Sequence, residues 1–300
     1  MTAKKKLLVT GAHGFVAGSI LAQAPAVWQL HAVSRGQPLA GRQRMQWHTC
    51  DQADELSKLF RKVRPDAVIH TAALADIDFC EKNHELALLA NVALTRTYAN
   101  LCADVGARFV FCSTDTVFDG ERAPYVEEDP PAPVNVYAET KVEAERIVSE
   151  LAAQSVVARL SLVVGLPVLG RGNSFLARMV ASFREGRAFS VPAHEIRTPV
   201  DVITVGRALL ELAGGDHHGI FHIAGNERLS RFEMAQKIAV RLEFSKELVV
   251  AQAGLTTPGR AVRPRDVSLD NAKACANLET PMCSLDEGLS LILQTASTSS

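Results

Sequence analysis

The sequence predicts an α/β fold, a doubly wound parallel sheet, on three observations. Short apolar, β-rich runs alternate with longer helical patterns over the first half of the 300 residues. The strand-like runs lack polar alternation, as strands covered on both faces do. A glycine-bearing turn joins the first strand to the first helix. Strand–helix repetition at this spacing implies βαβ crossovers.

Taken in order, residues 6–10 are the first strand and 15–23 the first helix. Residues 27–34 form the next strand, and a further short one lies around 45–48. A helix over 53–63 leads to a strand at 67–71. One long helix over 81–105 precedes the strand at 108–112. A helix over 137–153 and a strand at 156–160 complete this half. The texture changes after Gly165, where glycine and proline cluster through Gly172. Helical patterns follow at 173–184, 231–242 and 285–293, with a strand at 219–223. The small polar tail 295–300 reads as disordered. The expected division is a nucleotide-binding part, 1–165, and a smaller C-terminal substrate-binding region, 166–300, that returns strands to the first sheet.

Composition narrows the function classes. Lys plus Arg is 32 and Asp plus Glu is 33, a net charge of −1, so no global field draws in nucleic acid or an anionic membrane. A chain of this size buries a core without staples, so the six cysteines, none in a C-x-x-C pair, read as buried small apolar residues in a reducing compartment. No window approaches a membrane span, and the apolar run at Leu7-Leu8-Val9 is too short for a signal peptide. The expectations are a cytoplasmic protein, a small-molecule partner, no metal, no nucleic acid and no membrane, with room for a homodimer.

Gly11-Ala12-His13-Gly14-Phe15-Val16-Ala17 follows the first strand directly. In a dinucleotide-binding, Rossmann-like turn the first glycine permits the bend and the second lets a pyrophosphate approach the backbone. The small residue at 17 allows close helix–strand packing. A plain βα turn with capping glycines is the alternative. His13 sits inside the turn, near where phosphates would lie. At the end of the second strand, where an NAD site places an acid, the chain reads Ser34-Arg35. The first acidic residue is Asp51. A carboxylate would repel a 2′-phosphate, whereas Arg35 and Ser34 suit one, so NADP(H) is expected over NAD(H). Otherwise Arg35 is a solvated loop residue. Asp51 and Gln52 are candidate adenine contacts.

Tyr137 and Lys141, four apart, share one helical face. They follow Thr114, at the end of a strand, by 23 residues at the tyrosine. Ligands in such sheets bind at the carboxyl ends of strands. Reducing a ketone needs a hydride on carbon and a proton on oxygen. A free phenol has a pKa of about 10, and an ammonium within about 4–6 Å lowers it by roughly 1–3 units. Lys141 is thus expected to acidify Tyr137 and to hold the nicotinamide ribose, while the Thr114 hydroxyl polarises the carbonyl. The alternative is a surface Tyr–Lys pair beside a turn threonine.

These residues, with His70-Thr71-Ala72-Ala73, Asn91-Val92, Ser113-Thr114-Asp115-Thr116-Val117-Phe118-Asp119-Gly120 and Arg263-Pro264, resemble the extended short-chain dehydrogenase/reductases. The chain is most similar to the dTDP-4-dehydrorhamnose reductase branch, over about residues 5–290. The resemblance implies that Thr114, Tyr137 and Lys141 are the catalytic trio and that Ala72 and Ala73 line the cofactor cleft. It implies reduction of a nucleotide-linked 4-keto-6-deoxy sugar. The 4,6-dehydratases carry Thr-Asp-Glu where Thr114-Asp115-Thr116 stands, so the eliminating base is missing. The branch typically has Tyr at Thr116, and 164–198 match poorly. Asp115, Thr116, Asn173, Arg197 and Arg263 are the substrate-side candidates, the arginines for a diphosphate. Two alternatives stand beside this: reduction of a non-sugar carbonyl by the same mechanism, and a regulatory subunit that binds NADP(H) without turnover.

Overall fold

A computed structural model describes residues 4–38, 44–169, 174–252 and 259–297. Its centre is a seven-stranded parallel sheet. The strands are β1 (Lys5–Thr10), β2 (Trp28–Ser34), β3 (Met45–Thr49), β4 (Ala67–His70), β5 (Arg108–Thr114), β6 (Ser155–Leu160) and β7 (Gly219–Ile223). In space they run β7-β6-β5-β4-β1-β2-β3. β7 pairs in parallel with β6, Ile223 opposite Leu160. The order reverses between β1 and β4, and a crevice opens there at the strands' carboxyl ends.

Strand alternation assigns the two faces. Leu7, Val9, Ile69 and Val110 pack with Ile20 of α1 (Phe15–Gln23) and Val205 and Leu209 of α8 (Val202–Gly214). Leu8, Val68, Phe109 and Phe111 pack on the opposite side. There they meet Phe60 of α2 (Ala53–Val63), Tyr98 of α5 (Leu94–Val105) and Ile147 of α6 (Val136–Leu151). Each such side chain is worth about 1.5–3 kcal/mol when fully buried. A third cluster joins α7 (Phe175–Arg184), α9 (Arg231–Arg241) and, after the short α10 (Ala272–Asn277), α11 (Leu285–Ser297).

Local chemistry sets the ends. Gln52 and Glu55 form a reciprocal capping box on α2, with Asp54 and Glu55 in its first turn and Arg61 and Lys62 in its last. The Asn135 side chain accepts from Ala138 N–H and starts α6.

Three expectations need correction. The helix over 81–105 is broken into α3 (Ile77–Lys82), α4 (His84–Leu88), a π turn (Leu89–Ala93) and α5. Asn83 donates back to the Phe79 carbonyl and closes α3, and the π turn carries the buried Asn91 inward. The tail is ordered further than expected, since α11 takes in Thr295–Ser297, though 298–300 lie outside the described residues. The helix expected from 173 begins at Phe175, because Ser174 caps it by accepting from Ala177 N–H. Among the described residues no helix is long and apolar enough to cross a membrane, and no group of three or more His, Cys, Asp or Glu could hold a metal ion.

Candidate active site

The crevice is lined first by the glycine turn. Gly11 takes φ +64, and a Cβ there would lie 2.9 Å from both Cα and N of Ala72. Only glycine lets the turn after β1 meet the segment after β4 so closely. Gly14 stands at the N-cap of α1, where no side chain caps the helix and no acidic residue occupies the first turn. The positive helix end at Phe15 and Val16 therefore has no counter-charge of its own and suits a phosphate.

Arg35 is exposed in the loop after β2, beside that turn. Trp47 Nε1–H donates to Ser34 Oγ at 3.2 Å, and Ser34 Oγ–H donates to the Gly36 carbonyl at 2.9 Å. The Ser34 proton is thus spent inside the loop, which leaves the charge of Arg35 as the loop's offer to a 2′-phosphate. His13 turns toward this loop: Nε2–H donates to the Gln37 carbonyl at 2.9 Å and the ring meets Trp47 edge-on at 5.0 Å. Its visible role is to tie the turn to the loop. Asp51 and Gln52 follow β3, whose Thr49 pairs with Ser34, and both are exposed; the Gln52 side chain is engaged in capping α2.

The catalytic candidates converge between the ends of β4 and β5 and the start of α6. Thr114, Tyr137 and Lys141 are all buried, at 9%, 9% and 2% exposure. The Thr114 hydroxyl donates to Asp115 Oδ1 at 3.2 Å and accepts from Thr116 N–H at 3.2 Å. Lys141 Nζ donates to the Cys112 carbonyl at 2.7 Å and lies 4.0 Å above the Phe111 ring. Burial pulls the Lys141 ammonium down to about 8, and Cys112 and Glu145 act the other way. Tyr137 departs from expectation. Burial, then the Asp115 carboxyl, push its phenol above the usual range, and the Thr114 hydroxyl only partly offsets them. On balance the phenol is not acidified in this geometry. Low dielectric disfavours phenolate more than any nearby charge favours it.

Asp115 and Thr116 follow Thr114 in a buried turn at the end of β5. Thr116 Oγ1 is 3.0 Å from Thr114 Oγ1. Burial pushes the Asp115 carboxyl up, against Arg197, whose Nε lies 3.5 Å away. Arg197 also donates to the Ile196 carbonyl at 2.7 Å and faces Glu195. Arg263 grips Asp78 of α3 through both Nη atoms, at 2.6 and 2.9 Å. Both arginines are committed within the chain, so neither offers a diphosphate a free guanidinium in this geometry. Asn173 lies outside the described residues.

His70, Asn91 and Trp47 have positioning roles that sequence reasoning did not assign. The Thr10 hydroxyl accepts from Ala72 N–H at 3.1 Å, so its own proton goes to His70 Nδ1 at 2.8 Å. His70 Nε2–H then donates to Thr95 Oγ1 at 3.2 Å, and Thr95 to the Asn91 carbonyl. Burial, then the charge of Lys141, hold His70 down at about 3, so it stays neutral. The Asn91 side chain accepts from Leu74 N–H at 2.8 Å and donates to Thr140 Oγ1 at 2.9 Å. These links fix β1, β4 and α6 around one crevice. Trp47 orders the Arg35 loop. Spacing alone does not reveal the three, because their partners are far away in sequence.

A doubly wound sheet, an uncapped helix end at the switch point and a Thr–Tyr–Lys set at the adjacent strand end define the class of extended short-chain dehydrogenase/reductases. Within it the chain belongs to the family described as RmlD substrate binding domain, which matches residues 5–298. It is 31% identical over 240 residues to a dTDP-4-dehydrorhamnose reductase of Mycobacterium tuberculosis, covering 78% of this chain and 74% of the relative. It is 30% identical over 283 residues to the methionine adenosyltransferase 2 subunit beta of Pongo abelii, covering 92% and 82%. A crystal structure of dTDP-4-dehydrorhamnose reductase from Bacillus anthracis, in complex with NADP, superposes with a TM-score of 0.83 at 25% identity. The match covers 98% of this chain and 100% of that one.

Proposed function

We propose that this chain is an NADP(H)-dependent reductase of a keto group on a nucleotide-linked 4-keto-6-deoxy sugar. The observation that carries the reading is that Thr114, Tyr137 and Lys141 are all buried, with Lys141 of α6 bonded to the Cys112 carbonyl on the strand that ends in Thr114. The relatives named as dTDP-4-dehydrorhamnose reductases support the substrate class.

The residues present fit the cofactor. The uncapped start of α1 suits the pyrophosphate, the close approach of Gly11 to Ala72 keeps the crevice floor free of side chains there, and Arg35 suits a 2′-phosphate. Lys141 has three N–H donors, and one goes to the Cys112 carbonyl, which leaves two for ribose hydroxyls. Bound NADPH would supply the hydride. Tyr137, kept neutral by burial, holds its proton across ordinary pH and gives it to the developing alkoxide, a far stronger base than phenolate. The Thr114 hydroxyl would turn its one proton to the carbonyl oxygen and polarise it. Asp115 and Thr116 border the same position.

The second reading is a regulatory subunit that binds NADP(H) without turnover. It is favoured by the match to methionine adenosyltransferase 2 subunit beta over 92% of the chain and by the internal engagement of Arg197 and Arg263. A panel of nucleotide-linked keto sugars, with non-sugar ketones alongside, separates the readings. NADPH oxidation with a sugar nucleotide supports the first, while tight NADP⁺ binding without oxidation of NADPH by any member supports the second. Sedimentation with and without NADP⁺ tests whether the chain is a homodimer.

A further inference from the structure

We propose that Glu145, locked to Arg159, is a positioning residue for the Thr114–Tyr137–Lys141 set: it fixes α6 against the strand that carries Thr114 and keeps Lys141 charged. The proposal rests on the reading above for the role of those three residues.

Tyr137, Lys141 and Glu145 recur every fourth residue on α6, so they share its inward face. All three are buried. Glu145 Oε1 accepts from Ser113 Oγ and from Arg159 Nε, the latter at 3.1 Å, and Oε2 accepts from Arg159 Nη2 at 2.8 Å. Ser113 and Arg159 stand opposite each other across β5 and β6, and Thr114 follows Ser113 directly. One carboxylate thus joins the helix bearing the phenol and the ammonium to both strands beneath the reacting position. Arg159 is 1% exposed and its cation lies 5.0 Å from the Phe118 ring centre. Stability alone gives a poor reason for this pair, because a well-packed apolar pair serves a buried site as well or better. The neighbouring inward positions are apolar: Ala144, Ile147 and Val148.

The charges around Lys141 supply the reason. From β4 comes His70, held neutral. From β5 comes Cys112, whose thiol burial pushes up to about 12, so it too is neutral near pH 8. From α6 comes the neutral Tyr137, and beyond Thr114 lies Asp115, faced by Arg197. Glu145, one turn along α6, carries the negative charge that opposes the desolvation of Lys141. Without it the ammonium gives up its proton at lower pH.

Glu145→Gln keeps the shape and most hydrogen bonds and removes the charge. Lysine-labelled full-length protein is titrated by NMR at the side-chain Cε and Nζ, with the Lys141 signal assigned by Lys141→Arg. The expected result is a Lys141 midpoint lower by about half a pH unit or more, with Glu145→Asp returning it toward wild type. The alkaline limb of kcat/KM moves the same way, and kcat falls by about tenfold as Tyr137 loses its register. If Glu145→Gln does not fold, the doubly apolar Glu145→Leu, Arg159→Met protein carries the same titration. An unchanged Lys141 midpoint in the variant that folds overturns the proposal. The titration needs no substrate: a wild type that oxidises no NADPH sinks the reductase reading, while the Lys141 midpoints still decide this one.

Discussion

Alanine at position 11 probes the floor of the crevice. Gly11 has φ +64, where an L side chain costs about 1–2 kcal/mol, and the added Cβ would press on the Ala72 backbone at 2.9 Å. Backbone on both sides leaves little to yield, so the total destabilisation should reach about 2–4 kcal/mol, or roughly 3–6 °C in Tm for a chain of this length. The turn must also move away from Ala72, and a displaced turn no longer meets a pyrophosphate. NADP⁺ affinity should fall at least about tenfold, or ~1.4 kcal/mol. Gly106 separates the two effects. It has φ +72 at the end of α5, but nothing lies within 4 Å of its would-be Cβ. Gly106→Ala should therefore lose only the backbone penalty, about 1–2 kcal/mol, and bind NADP⁺ normally. Thermal melts and calorimetry of the three proteins decide it. If Gly11→Ala binds NADP⁺ as wild type does, or if Gly106→Ala loses it, the assignment of the crevice is wrong.

Four further outcomes follow from the geometry. Tyr137→Phe should leave NADP⁺ affinity nearly unchanged and cut turnover by about 10²-fold or more, roughly 2.7 kcal/mol of transition-state stabilisation; equal turnover removes the phenol from the chemistry. Arg35→Asp should reverse the preference for NADP⁺ over NAD⁺ in calorimetry, and a wild type that prefers NAD⁺ refutes the charge argument. NADP⁺ should bind less tightly above about pH 8, where Lys141 loses its proton, and an affinity flat from pH 7 to 10 would detach Lys141 from the ribose. His70 is held at about 3 in the fold, below its free value, so between about pH 6.5 and 3 the unfolded chain binds the extra proton and stability falls as the pH drops. Urea unfolding should show that loss, up to about 1.4 kcal/mol per pH unit from this residue, and His70→Gln should reduce the slope.

The strands were legible because unbroken apolar runs between turn signals have few other uses. The grouping of Thr114, Tyr137 and Lys141 was legible because the last two are spaced locally on α6 and Thr114 marks a strand end. What depended on distant partners was not. The fate of Arg197 and Arg263 is set by Asp115 and Asp78, and nothing in the sequence places those carboxylates beside them. The helix over 81–105 breaks at Asn83, whose side chain donates to the Phe79 carbonyl, and its π turn carries Asn91 to the Leu74 backbone and Thr140, a tertiary contact that helical periodicity does not show. The direction of the Tyr137 shift was missed for a related reason. Burial outweighs a charge inferred from spacing, and burial appears only once the chain is packed.

The most direct measurement follows the hydride itself. With NADPH deuterated at the transferable position and a nucleotide-linked 4-keto sugar, mass spectrometry should find one deuterium on the product per NADPH consumed. The product should carry a new hydroxyl at the former carbonyl, and Tyr137→Phe should all but abolish it. Saturable NADP⁺ binding with no label in the product of any keto sugar offered would contradict the account.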